Sequence, residues 1–164
     1  MPPVSSPYRS LPAARRVALV THALKASREA RAIYIQRLVA RGGGFRAVTL
    51  QTWPVDRLAR EIVRLGAESA NDEVDLLQML YVDLEPAIQT TFLDAAGVAH
   101  EQGRIAEEAE PPYADADGVR RGAAAVRERH GDDGAHYLRT IARYNREAWP
   151  GIDEVIAGLD GEGR

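Results

Sequence analysis

The sequence predicts an all-α fold, an irregular or orthogonal bundle of six or seven helices around a central kinked helix pair at residues 72–97. Three observations predict it. Apolar residues recur at steps of three and four along most of the chain, and helix-starting and helix-stopping residues punctuate it at helix-length intervals. Only FRAVTLQ, residues 45–51, reads as a strand; a lone strand has no partner, so it is assigned to a loop.

The central pair carries the longest apolar run. Leu77, Leu80, Tyr81, Leu84, Ile88, Phe92 and Ala95 share one helical face, and Val74, Leu76, Met79 and Val82 widen it. Pro86 has no N–H for the carbonyl of Val82, so the helix must kink or restart there. Because the row keeps its phase across Pro86, a kink or two nearly coaxial helices is expected rather than a hairpin. Asn71, followed by Asp72 and Glu73, is the expected N-cap, and Gly97 the expected C-cap.

In chain order, residues 1–12 hold four of the nine prolines and no periodic pattern, which predicts a flexible arm. A first helix is expected from Ala13 to Arg41, with Val17, Val20, Leu24, Ile35, Leu38 and Val39 inward and Gly42–Gly44 ending it. Trp53-Pro54 opens a second, which buries Val55, Leu58, Ile62 and Leu65 and stops at Gly66. Residues 98–117 form a long acidic connection with at most one turn of helix. Asp117 then caps a helix over 118–130, whose small inward row of Val119, Gly122, Ala123 and Val126 implies a close helix crossing. HGDDG breaks the chain, and a helix over 134–149 and a short one from Pro150 follow, with residues 160–164 a tail. Residues 13–159 are thus expected to form a single helical domain.

Composition narrows the chemistry. At 164 residues the chain is long enough for a core of its own, and without cysteine it can have no disulfide, thiolate nucleophile or cysteine-ligated metal. No apolar run approaches a membrane span, so no membrane association and a cytoplasmic location are expected. Lys25 is the only lysine among 21 basic residues, which reads as the codon bias of a GC-rich bacterial genome. The net charge of −3 conceals an uneven layout: residues 1–66 carry 12 basic against three acidic residues, a net +9. Residues 67–118 carry one basic against 13 acidic, a net −12, and the remainder is balanced.

Candidate chemistry is sparse. His130, Asp132, Asp133 and His136 lie within seven residues, and Asp133 and His136 at i, i+3 could share a helix face as metal ligands, with His100 and Glu101 from elsewhere. Aspartates before a helix are also ordinary caps, and the two Glu-x-x-His helices and two further glutamates of a di-iron bundle are missing. Glu107, Glu108, Glu110, Asp115 and Asp117 lack the spacing of a calcium loop, and no nucleophile-elbow, P-loop or dinucleotide motif occurs. No metal or other cofactor is therefore expected.

Two rows of arginines, Arg57, Arg60, Arg64 and Arg139, Arg143, Arg146, should face outward as an interaction surface. The first row, with Arg9, Arg15 and Arg16, could instead track nucleic-acid phosphates. Arg28 and Arg31, between Leu24 and Ile35, should point inward at anions of the acidic third, and Asn145 should be a buried amide. The reading that follows is a non-catalytic protein-interaction or scaffold module with a protein partner or homo-oligomeric state. A nucleic-acid-binding protein is the alternative, and a metal enzyme built on His130, Asp133 and His136 comes third.

Overall fold

The computed structural model describes residues 6–162. Among them it is all-α, with nine α-helices and one isolated bridge in place of any strand. No helix of these residues is long and apolar enough to cross a membrane. The chain divides between Met79 and Leu80, inside the helix pair expected to be central, into two compact units.

The first unit holds α1 (Pro7–Ser10), α2 (Ala13–Ala26), α3 (Arg28–Ala40), α4 (Ala47–Gln51), α5 (Val55–Leu65) and α6 (Ala70–Met79). The single helix expected over 13–41 is broken at Ser27, whose backbone is extended (φ −141°, ψ 120°). Its N–H still donates to Ala23 O (3.1 Å), ending α2, while its Oγ accepts from Ala30 N–H (3.1 Å), starting α3. Short polar side chains compete with helical hydrogen bonds in this way, so one serine serves as stop and start.

Three further expectations are corrected in this unit. FRAVTLQ is not a loop but contains α4, which buries Leu50. The cap of α6 is Ser69, not Asn71: Ser69 N–H donates to Asp72 Oδ2 (2.6 Å) and Ser69 Oγ accepts from Asp72 N–H (3.2 Å), a reciprocal pair that satisfies both ends of the first turn. Residues 6–11 of the expected arm are a packed helical segment with Tyr8 and Leu11 buried; residues 1–5 lie outside the described residues. The core is closed by α2 against α5, with Leu19, Val20, Leu58 and Ile62 all nearly inaccessible. Gly66 ends α5 in the left-handed conformation, as its position predicts.

The second unit begins with a π-helical turn, Leu80–Leu84, in which Glu85 N–H reaches back five residues to Leu80 O (2.7 Å). Pro86 then opens α7 (Pro86–Ala96), which Gly97 closes in the left-handed conformation. The helix therefore restarts at Pro86. Residues 98–115 contain no helix, and Asp115, not Asp117, caps α8 (Ala116–Tyr144) by accepting from Gly118 N–H (2.7 Å).

Within α8 the residue Gly131 is non-helical (φ 52°, ψ −123°), and the two arms, 116–130 and 132–144, fold back on each other. The contact is backbone to backbone: a Cβ on Gly134 would lie 2.9 Å from the Val126 carbonyl carbon. In one straight helix these residues would stand about 12 Å apart. The small inward row does make the close crossing expected of it, since a Cβ on Gly122 would meet Phe92 O at 2.9 Å and one on Gly118 would meet Ala96 O at 2.8 Å. A 3-10 turn (Arg146–Ala148) and α9 (Ile152–Glu162) complete the unit, so residues 160–162 of the expected tail are helical.

A continuous run of rings fills this second core. Tyr81 meets Tyr137 edge-on at 4.9 Å, Tyr137 meets Phe92 at 5.5 Å, Phe92 meets Trp149 at 5.0 Å, and Trp149 meets Tyr113 at 5.5 Å. Such offset pairs add stabilisation of roughly 0.5–1.5 kcal/mol each beyond their burial. Complete burial drives the Tyr137 hydroxyl far above the usual phenol range, so it stays protonated.

Candidate functional site

The histidines nominated as metal ligands are engaged elsewhere. Thr91 Oγ1 donates to Ala87 O (2.7 Å), so its contact with His130 Nε2 (3.0 Å) must be accepted from a protonated ring nitrogen. His136 turns Nδ1 to the Tyr81 hydroxyl, and Asp133 is exposed. Among the described residues no group of three or more His, Asp or Glu is arranged to hold a metal ion. His130, Asp133 and His136 are therefore not brought together as a metal site.

His100 is nearly buried and structural rather than solvated. Its Nδ1 accepts from Gly103 N–H (3.0 Å), which leaves Nε2–H to donate to Asp94 Oδ1 (2.9 Å). Gln89 Nε2 also donates to Gly103 O (2.5 Å). Together these bonds pin to α7 a two-residue turn, Glu101 to Arg104, in which Gln102 (φ 50°) and Gly103 (φ 86°) are both left-handed. Beside it lies a groove of about 730 Å³ lined by Val82, Ile105, Glu101, Arg104 and Glu107 among others. The charged side chains that line it are all exposed, and the nearly buried His100 in its wall is already engaged by Gly103 and Asp94.

The two arginine rows are exposed, as expected, but their charge is largely met within each unit. Arg60 pairs with Asp56, Arg64 with Glu61 (Nε to Oε2, 3.0 Å), Arg139 with Asp160 (2.9 Å) and Arg146 with Asp153 (3.2 Å). The hydrogen bond from Arg64 holds the Glu61 carboxyl below its usual range. Arg57 lies over the Trp53 ring, 3.9 Å from its centroid, and Arg143 is exposed. Such surface pairs contribute little stability.

The polar residues expected inside are also placed differently. Arg28 is exposed, because the break at Ser27 resets the rotation of α3. Half-buried Arg31 donates to Gln51 O (3.1 Å) and Trp53 O (3.0 Å), backbone carbonyls at the end of α4 rather than carboxylates. Asn145 is exposed and ends α8.

The buried charges are instead Glu68 and Glu73, 4% and 7% exposed. Tyr8 donates to Glu68 Oε1 (2.7 Å), Arg9 Nε to Glu73 Oε1 (2.5 Å), and Ser6 Oγ to Glu73 Oε2 (2.5 Å). Burial first, then the Glu68 hydrogen bond, raises the Tyr8 hydroxyl far above the phenol range; burial, then the charge of Asp72, does the same to Tyr34. This network locks α1 to the rest of its unit. Glu73 could have been singled out from its place one turn before Leu77 on the apolar row, whereas nothing marks Glu68.

Among the described residues, α3 carries apolar side chains on its outer face as well as its inner one. In α3, Tyr34, Ile35 and Leu38 are buried, while Ala32, Ile33, Gln36, Val39 and Ala40 form an exposed strip on the opposite side. Ile33 is 40% and Val39 38% exposed, so Val39 does not face inward as expected, and Val48 of neighbouring α4 is 74% exposed. No charged residue interrupts the strip between Glu29 and Arg41. It escaped the sequence reading because an uninterrupted helix over 13–41 assigns one inward face to all its apolar residues. The chain matches no family profile, no characterised protein and no solved structure.

Proposed function

We propose that the chain is a protein-interaction module that docks its partner through the outer face of α3. The observation that carries this reading is the uncharged strip of Ala32, Ile33, Gln36, Val39 and Ala40, apolar on a helix whose other face already fills the core. A helix apolar on both sides belongs between two packing layers, and only one layer is present in the unit. The local pairing of Arg60, Arg64, Arg139 and Arg146 counts against nucleic acid as the partner.

The test compares wild-type chain with Ile33→Asp/Val39→Asp as immobilised baits in extract of the native host. Both positions are exposed, so the variant should keep its helical signal and melting temperature. The proposal expects proteins retained by wild type to be lost from the variant. Retention on heparin that disappears with moderate salt, with no protein lost from the variant, would favour nucleic acid instead.

A further inference from the structure

We infer that the occupant of the α3 strip is a second copy of this chain, paired as an antiparallel helix about a two-fold axis through Gln36; this rests on the reading of α3 as a docking face. An isologous interface must be complementary to itself, so a residue a given number of places before its centre meets one the same number after it. The strip has that symmetry. Three residues to either side of Gln36 stand Ile33 and Val39, and four to either side stand Ala32 and Ala40. The axis therefore sets a large β-branched side chain against another, and a methyl against a methyl, where two backbones can approach closely. Gln36 meets itself, and a carboxamide can donate to and accept from its own copy at once, fixing register as a single polar seam residue does in a coiled coil.

Charge selects the antiparallel direction and a neutral partner. Between Glu29 and Arg41 the strip carries no charge, so an ionic partner would gain nothing there. Glu29 and Arg41, both exposed, stand at opposite ends of the helix. An antiparallel pair centred on Gln36 sets Glu29 level with position 43 of the second copy, two residues or about 3 Å of rise from the arginine at 41. A parallel pair would instead stack Glu29 on Glu29 and Arg41 on Arg41.

The chain contains no cysteine, so single cysteines report the geometry in the full-length protein without background. Under mild oxidation Gln36→Cys should link to itself several-fold faster than the exposed control Arg57→Cys, giving a species of twice the 18.0 kDa chain mass. Ile33→Cys mixed with Val39→Cys should form the crossed dimer several-fold faster than either links alone. Light scattering of wild type should show a mass rising with concentration, and Ile33→Asp/Val39→Asp should stay monomeric. Gln36→Cys linking no faster than the control, or Ile33→Cys linking to itself as fast as to Val39→Cys, would overturn the antiparallel pair. If that occurs while wild type still retains a different protein that the double variant loses, α3 remains a docking face for another partner; if both fail, the functional reading falls too.

Discussion

Gly134→Ala should destabilise the second unit, although alanine is the better helix former. Gly134 has ordinary helical backbone angles, so replacing it carries no conformational penalty and, in open space, would gain up to about 1 kcal/mol. Here the added Cβ would overlap the Val126 carbonyl oxygen and lie 2.9 Å from its carbon and 3.0 Å from Val126 Cγ1. Backbone cannot swing aside as a flexible side chain can, so the two arms of α8 must part. Overpacking of this kind costs about 1–3 kcal/mol, and a backbone clash belongs at the upper end, for a net loss of about 2 kcal/mol. Gly158 in α9 supplies the control, because a Cβ there meets nothing within 4 Å. Thermal unfolding followed by circular dichroism should place Gly134→Ala roughly 4 °C or more below wild type and Gly158→Ala at or above it. A Gly134→Ala protein melting with or above wild type would refute the close fold-back at Gly131.

Three further outcomes follow from the buried polar groups. Tyr8→Phe should lower the first unit's stability by about 1–3 kcal/mol in a denaturant titration, since Glu68 Oε2 already lacks a hydrogen bond and Oε1 would lose its donor. Arg31→Ala should cost about 1 kcal/mol by releasing the Gln51 and Trp53 carbonyls, while exposed Arg28→Ala stays within about 0.5 kcal/mol of wild type; equal midpoints would contradict the placement of α3 after Ser27. Tyr8, Tyr34 and Tyr137 all have raised hydroxyls, so their contribution is fully present below about pH 10, where the unfolded chain still holds the same protons. Above that pH the unfolded state releases protons the folded state keeps, and stability should fall as pH rises; tyrosinate absorbance reaching the full value for all six tyrosines before loss of helix would contradict it.

What could be read from the sequence was what periodicity and punctuation specify. The left-handed glycines at 66 and 97, the restart at Pro86 and the close crossing at Gly122 each follow from one residue type with one physical role. What could not be read depends on choices between two satisfied states. Ser27 can ride inside a helix or cap one, and the apolar spacing by itself does not choose between them; only packing decides. The π turn at Leu80–Leu84 is similar: it takes an extra residue into the turn and leaves Leu84, expected on the inward row, 42% exposed, a shift that the apolar spacing does not mark. Charge patterning was legible only in part: Arg9 and Arg37 of the basic third do reach Glu68, Glu73 and Asp72 of the acidic third, but Arg60 and Arg64 found carboxylates within a turn, and the buried acids were Glu68 and Glu73 rather than partners for Arg28 and Arg31. The α3 strip was hidden by the Ser27 break, since its outward face exists only once α3 is a helix of its own.

Backbone amide hydrogen exchange, measured on the full chain at increasing protein concentration, tests the outer face of α3 most directly. Association through that face slows helix opening, so exchange over residues 30–40 should slow several-fold as concentration rises while α5 and α9 are unchanged. Slowing that maps to any other helix, or none at any concentration even with extract-derived partners added, would contradict α3 as the surface through which this chain meets another protein.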